Sequence, residues 1–339
     1  MANKIEPLKV FADSDLSSNP ESARTALAAM WAVRLFEEGV DSLFARGLMH
    51  GTMHLSIGQE ASAVGACAAL EEKDFITSTH RGHGHCIAKG ADLTRMMAEL
   101  LAKQTGYCRG RGGSMHIADA ATGNLGANGI VAGGIPIAAG AALAQKMKGT
   151  DRVVMCFFGD GATNEGAFHE AVNLAAIWNL PVIFVCENNK YGMSFSTEKS
   201  MKVEHIAERG AAYGIPGFTV EGNDADAVFA VAREAVARAR RGEGPTLIEN
   251  ITYRWKGHSK SDKNLYRTKE EIEDWKSRDP IVMFENRLEQ KGILSRQDID
   301  DVAAKVREQI RTAIQEATTA PDSNPEELLS SVFRAIEVK

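Results

Sequence analysis

Two short apolar runs constrain the fold of this chain more than any other feature. Residues 153–158 and residues 181–186 are uninterrupted stretches of apolar side chains. Such runs are typical of parallel strands that are buried on both faces. Between them, Phe168, Val172 and Ala175 recur at helical spacing. The segment therefore predicts a strand–helix–strand unit of an α/β fold, with a mostly parallel sheet and helices on both faces.

Polar residues follow each apolar run. Asp160 lies between two glycines just after the first run, and Asn189 ends an Asn pair after the second. A right-handed crossover opens the carboxyl ends of both strands at one edge of the sheet, so we expect both side chains to face one site. A carboxylate and an amide oxygen suit Mg²⁺, which also binds phosphate oxygens and water. The alternative without a ligand is an Asp that caps a helix near a loop Asn.

The spacing of these residues resembles a known motif. Residues 159–161 and the Asn pair at 188–189 are separated by 26 residues, and this pattern resembles the thiamine diphosphate and magnesium motif. Residues 187–193 strengthen the match. The chain from about residue 22 to residue 320 is similar to the alpha subunit of the decarboxylating component of 2-oxo acid dehydrogenase complexes, in the pyruvate and acetoin branch. The resemblance implies the thiamine diphosphate-binding fold.

The resemblance also assigns the cofactors, thiamine diphosphate and Mg²⁺, to particular residues. Asp160, Asn189 and the carbonyl of Tyr191 are expected to bind the metal. The backbone of Gly161 and Ala162 is expected to hold the diphosphate.

Gly129 and Val131 are assigned, by the same resemblance, backbone contacts to the aminopyrimidine ring of the cofactor. The glycines of residues 126–134 have a second explanation that needs no ligand, because the helix expected over residues 136–146 is rich in Ala and Gly and must pack closely.

Two histidines become catalytic candidates only through the resemblance. His54 follows Met53, and a lone His among apolar neighbours is usually structural. In the family, a His at the matching position reaches the active site. His258 lies in a polar segment expected to be mobile and matches the second active-site His, which also contacts the cofactor.

Residues 79–85 contain three histidines and one arginine. Arg81 matches a family arginine that contacts the diphosphate, and its planar side chain can bind phosphate through two N–H groups. His80, also assigned to the cofactor, stands where Tyr is common in pyruvate enzymes. A metal site at His83 and His85 is an alternative, weakened by the lack of a carboxylate nearby in sequence.

The basic, glycine-rich residues 109–116 allow two interpretations. Backbone N–H groups in such a loop can bind phosphate, but the pattern is equally typical of a flexible surface loop. The run resembles the corresponding loop of pyruvate and acetoin members of the family.

Composition excludes several classes of function. The formal net charge is −6 and charged residues make up 25%, which does not favour nucleic acid or an anionic membrane as a partner. No apolar run is long enough for a membrane helix or a signal peptide. The five cysteines show no metal-binding spacing, so we expect reduced, mostly buried thiols in a cytoplasmic protein.

The domain organisation is expected to be simple. We predict a loose arm over residues 1–20, one thiamine diphosphate-binding α/β domain with C-terminal helices over residues 21–320, and a tail over residues 321–339. Helices are expected over residues 21–46 and 225–241, among others.

The resemblance implies partners as well as an activity. The alpha subunit decarboxylates pyruvate or cleaves acetoin and transfers the two-carbon unit to a lipoyl-bearing acyltransferase. The glutamate that activates the cofactor comes from a beta subunit in this family, so an α2β2 heterotetramer is expected. Two alternatives stay open: a magnesium-dependent nucleotide- or phosphate-binding protein without thiamine chemistry, and a scaffold relative that has lost the cofactor. The first is weakened because the chain has no GxxxxGK[ST] motif.

Overall fold

The computed structural model describes residues 3–6, 8 and 15–328. These residues form eight strands: β1 (Phe75–Thr79), β2 (Asn124–Asn128), β3 (Val154–Gly159), β4 (Val182–Asn188), β5 (Tyr191–Gly192), β6 (Phe195–Ser196), β7 (Gly217–Glu221) and β8 (Thr246–Ile251). Strands β1, β3, β4 and β8 form the centre of a six-stranded sheet, with β2 and β7 at its edges, in the order β2-β1-β3-β4-β8-β7. Every pairing in this sheet is parallel, which confirms the predicted α/β architecture.

Eleven α-helices are found among the described residues. They are α1 (Pro20–Ala45), α2 (Glu60–Ala68), α3 (His83–Ala88), α4 (Leu93–Leu100), α5 (Gly134–Met147), α6 (Gly166–Ile177), α7 (Thr197–Ser200), α8 (Ala225–Arg240), α9 (Lys269–Ser277), α10 (Pro280–Gln290) and α11 (Arg296–Thr319). None of them has both the length and the apolar content needed to span a membrane.

The predicted strand–helix–strand unit is β3, α6 and β4. The two strands are immediate neighbours, with Val154 opposite Val182 and Gly159 opposite Glu187. Their side chains alternate between two apolar cores: Met155 and Phe157 face one, whereas Val154 and its alternate neighbours face the other. Because both faces are buried, the runs had to be apolar throughout.

The two cores lie on opposite faces of the sheet. Helices α1, α2, α4, α8 and α11 contribute to the larger core, and α5 and α6 contribute to the smaller one. The predicted arrangement of helices on both faces is therefore confirmed. α5 packs closely on β3, as its Ala- and Gly-rich sequence predicted.

Parts of the predicted N-terminal arm pack against the domain. Ile5 and Leu16 are buried, and the Ser17 hydroxyl donates a hydrogen bond of 2.6 Å to Asp226. The remainder of the arm (residues 1, 2, 7 and 9–14) and the tail from residue 329 onward lie outside the described residues.

Candidate active site

A cavity of about 230 Å³ opens at the carboxyl ends of β1, β3 and β4. This is the edge where parallel strands place the polar residues that follow them. Most of the residues singled out in the sequence line it: His80, Arg81, Val131, Asp160, Gly161, Ala162, Asn189, Tyr191 and His258. The loops after three adjacent strands are thus brought to one site.

Asp160 and Asn189 meet in this cavity, as their spacing predicted. Both are buried, with exposed fractions of 4% and 7%. The Asn189 Oδ1 atom has no hydrogen-bond partner among the described residues. Gly159 and Glu165 hold the cap positions of the two helical segments that follow β3, so Asp160 is not a helix cap. The arrangement leaves two oxygen ligands available to a cation.

Burial changes the acidity of the Asp160 carboxyl group. Loss of hydration raises its pKa to about 6, although its own amide, the Gly161 amide and the guanidinium of Arg254 act in the opposite direction. A bound cation would lower this pKa again, since it favours the charged form.

The backbone around Asp160 is packed against the neighbouring loop. A Cβ atom added to Gly161 would lie 3.3 Å from the Cα of Gly192. Ala162 is buried. The close approach of Gly161 and Gly192 therefore favours very small residues where these two segments pass each other.

Ile130 and Val131 line the cavity next to the residues that follow β2. Val131 is 51% exposed and Ile130 is 74% exposed, although both line the cavity. Gly129 itself does not line it; a Cβ atom there would lie 3.3 Å from Nε2 of His116. This wall therefore presents apolar side chains toward the open side of the cavity.

Three histidines form one cluster, and two of them, His80 and His258, line the same cavity as Asp160. The ring centroids of His54 and His80 are 4.6 Å apart, and those of His54 and His258 are 5.0 Å apart. His80 and His258 complete the triangle at 5.5 Å. Residues that lie far apart in sequence thus share one end of the site, and the two predicted catalytic histidines are in contact.

All three rings lose basicity in this environment. Burial, assisted by the positive charge of Arg81, lowers the pKa of His54 to about 3, of His80 to about 2 and of His258 to about 4. At neutral pH each ring is therefore uncharged and carries one N–H donor and one nitrogen acceptor.

Arg81 connects the loops that carry the two catalytic candidates. Its side chain is buried and donates hydrogen bonds to the Leu55 carbonyl at 2.6 Å and to the His258 carbonyl at 2.9 Å. Burial and the proximity of Arg254 lower the pKa of Arg81 to about 9. Arg81 lines the cavity, and its predicted contact with a phosphate stays a prediction.

The side chains of His83 and His85 contact other residues of the protein through their ring nitrogens. His83 is fully buried between Glu37, at 3.0 Å, and the Ser114 hydroxyl, at 2.9 Å. His85 contacts the Ser78 hydroxyl at 2.8 Å, lies 3.2 Å from the Glu187 carboxylate and stacks on Phe157. Both nitrogens of each ring are engaged, so the alternative of a metal site at these two residues is not supported.

The glycine-rich loop is organised by an internal anion. The Glu99 carboxylate accepts four backbone hydrogen bonds, from the amides of Cys108, Gly110, Gly112 and Gly113, at 2.7 to 3.0 Å. A bound phosphate is thus not needed to order this loop, because a side chain of α4 takes its place.

Three residues at or beside the site were not among those predicted to bind a cofactor or to act in catalysis. Arg254 follows β8 and is fully buried, with hydrogen bonds to Met193 and Tyr266. Asp262 accepts a hydrogen bond of 2.7 Å from the His258 amide. Glu187 lines the cavity at the end of β4. The sequence could have indicated Glu187 as a site residue, because it is a charged residue that follows the apolar run of a buried strand.

Comparison with known proteins agrees with this geometry. The profile of the family described as "Dehydrogenase E1 component" matches residues 28–326. The chain is 49% identical to the alpha subunit of acetoin:2,6-dichlorophenolindophenol oxidoreductase of Bacillus subtilis, over 97% of this chain and 99% of the relative. The corresponding protein of Cupriavidus necator is 45% identical, over 94% and 96%.

A pyruvate enzyme is also among the relatives. The alpha subunit of the pyruvate dehydrogenase E1 component of Rhizobium meliloti is 38% identical, over 96% of this chain and 94% of the relative. The fold, the cavity and these matches agree, and the chain belongs to the dehydrogenase E1 component family.

Proposed function

We propose that this chain is the alpha subunit of a thiamine diphosphate-dependent dehydrogenase component that acts on acetoin or pyruvate. It would cleave acetoin or decarboxylate pyruvate and pass the two-carbon unit to a lipoyl-bearing acyltransferase. The family implies thiamine diphosphate, and the printed names of the relatives support the two substrates. Nothing found favours a nucleotide-binding protein without thiamine chemistry.

One observation carries the proposal: the buried Asn189 Oδ1 has no partner next to the buried Asp160. An unpaired buried oxygen costs roughly 1–3 kcal/mol, so such a position favours a ligand. A carboxylate, an amide oxygen and the Tyr191 carbonyl suit Mg²⁺, which leaves its other positions to phosphate and water. Arg81 and the amides of Gly161 and Ala162 would hold the diphosphate.

The histidines fit the proton transfers that both substrates require. When bound, thiamine diphosphate supplies the electron sink. His54 and His258 are uncharged at neutral pH because of burial and Arg81. Each ring can therefore accept a proton at one nitrogen while it donates a hydrogen bond from the other. A substrate bound in the cavity would lie against His258, which lines it and contacts His54.

A second subunit is needed to complete the site. The apolar side chains of Ile130 and Val131 are exposed at the open side of the cavity, and the family forms its site with a beta subunit that contributes the activating glutamate. We therefore propose an α2β2 heterotetramer. The five cysteines are unpaired and four of them are buried, which supports a location in the cytoplasm, where thiols stay reduced.

The metal-binding step is tested by Asp160→Ala. Calorimetry should show Mg²⁺-dependent binding of thiamine diphosphate to the wild-type chain and none to the variant, because a charged ligand of the metal has been removed. The exposed His50 provides the control, since His50→Ala should bind normally. Unchanged affinity in Asp160→Ala would remove Asp160 as a ligand.

The partner is tested by reconstitution. The purified chain alone should turn over neither acetoin nor pyruvate, and addition of the cognate beta subunit should restore activity on at least one of them. Measuring both substrates on the assembled enzyme decides between them. Full turnover by the isolated chain would contradict the proposed division of the site between two subunits.

A further inference from the structure

The three-histidine cluster has a property that the proposed reaction does not use. His54, His80 and His258 each offer a ring nitrogen, and these three nitrogens all lie within 4.8 Å of one another. The residues come from three separate segments: the loop before α2, the loop after β1 and the loop after β8. Such convergence of three imidazoles is the arrangement found in zinc sites with an open position.

The rings are not committed to other partners. Among residues 3–6, 8 and 15–328, the rings of His80 and His258 contact each other. The Nδ1 atom of His54 is buried and has no hydrogen-bond partner there. His54 itself is 6% exposed. A buried nitrogen without a partner, in a ring that contacts two other imidazoles, is an independent indication of a ligand.

The geometry requires only a small adjustment. Zinc–nitrogen bonds of about 2.0–2.1 Å in a tetrahedral site place the ligand nitrogens roughly 3.4 Å apart. Separations of at most 4.8 Å can close to this value by rotation of the side chains, because the loop bearing His258 is partly exposed.

The neighbouring charges determine which ion is selected. Arg81 donates a hydrogen bond to the His258 carbonyl at 2.9 Å, and its charge opposes any cation that is held by electrostatic attraction alone. An ion that forms strong bonds with imidazole nitrogen can overcome this opposition, whereas Mg²⁺ prefers oxygen ligands. The cluster therefore suits Zn²⁺ and related transition metals, and Asp160 and Asn189 suit Mg²⁺.

We propose that His54, His80 and His258 bind one Zn²⁺ ion, separate from the Mg²⁺ position, and that occupation of this site blocks catalysis. Three neutral imidazoles would fill three positions and water the fourth. Binding of zinc does not depend on the proposed function. The inhibition does rest on it, since it assumes that His54 and His258 act in turnover.

Co²⁺ serves as a spectroscopic probe for the binding step. The full-length chain, free of thiamine diphosphate and beta subunit, should bind one equivalent of Co²⁺ with the visible absorption of four-coordinate cobalt, and Zn²⁺ should displace it. Mg²⁺ at millimolar concentration should not. His80→Phe removes one ligand and should weaken Zn²⁺ binding by at least about tenfold.

Matched variants make the result decisive. His50→Ala removes an exposed histidine outside the cluster and should bind Zn²⁺ like the wild type. His80→Gln provides a second variant of similar polarity, and circular dichroism shows that each variant is folded. Wild-type affinity in both His80 variants, or displacement of Co²⁺ by Mg²⁺, would overturn the site.

The inhibition is measured separately on the assembled enzyme. Zn²⁺ should abolish turnover of the wild type at concentrations that match its binding constant, and a chelator should restore it. If Zn²⁺ binds the cluster but leaves turnover unchanged, the proposed catalytic role of the histidines fails while the metal site stands. If the assembled enzyme has no activity on either substrate, the proposed function fails and the binding result is unaffected.

Discussion

Replacing Glu99 by Gln should release the glycine-rich loop. The carboxylate accepts hydrogen bonds from four backbone amides at 2.7 to 3.0 Å, and it is 1% exposed. Gln keeps one oxygen, which can accept about half of these bonds, and its NH₂ group then faces the remaining N–H donors. Hydrogen bonds to a charged group are worth roughly 1.5–3 kcal/mol each, so losing two corresponds to about 3–6 kcal/mol. Because the loop can open locally, this value is an upper limit for the loss in global stability.

Trypsin reports the opening of this loop directly. Arg109 and Arg111 lie between the amides that Glu99 holds, so cleavage after them should be much faster in Glu99→Gln than in the wild type. Urea denaturation measures the accompanying change in the free energy of unfolding. Glu327→Gln is the matched control, since Glu327 contacts the same two arginines from the solvent side, at 3.5 and 3.4 Å, and exposed ion pairs contribute little. Equal cleavage rates in Glu99→Gln and the wild type would refute the reasoning.

Two further predictions concern the buried Glu37 carboxylate and the second catalytic candidate. Burial alone would raise the pKa of Glu37, but His83 and Ser56 lower it below its usual value. Glu37→Gln should therefore destabilise the protein at pH 7 by about 1.5–3 kcal/mol, the contribution of one hydrogen bond to a charged group. The wild-type advantage is fully present above the unfolded pKa of about 4.3 and should disappear as pH falls through the lower folded value, so denaturation curves that stay equally far apart at pH 7 and pH 3 would contradict it. His258→Ala should lower turnover of the assembled enzyme by roughly 10²- to 10⁴-fold while its melting temperature stays near that of the wild type. Wild-type rates would reduce His258 to a loop residue.

The central strands and the polar residues after them could be predicted from the sequence. β3 and β4 are buried on both faces, so their composition is unambiguous, and their parallel pairing places Asp160 and Asn189 at one edge. Periodicity likewise predicted α1 and α8, with each boundary within one residue of the observed one. The positions of these elements follow from which of their side chains are buried, and the spacing of apolar residues in the sequence shows this directly.

The rest of the site depends on contacts between distant segments. Nothing in the sequence near Glu99 indicates that its carboxylate orders a loop nine to fourteen residues later. The meeting of His54, His80 and His258 likewise requires three loops to converge, and the family resemblance, rather than local pattern, pointed to His54. Arg254 was missed because an arginine after a strand ordinarily faces solvent, whereas here it is fully buried.

The position of Arg81 has a consequence for how the chain can diverge. One guanidinium holds the Leu55 carbonyl, next to His54, and the carbonyl of His258 itself. Insertions or deletions in either loop would misplace the histidine of the other, so the two loops must change together during evolution. An engineer who wishes to alter substrate choice should therefore vary both loops in one library and leave Arg81 fixed.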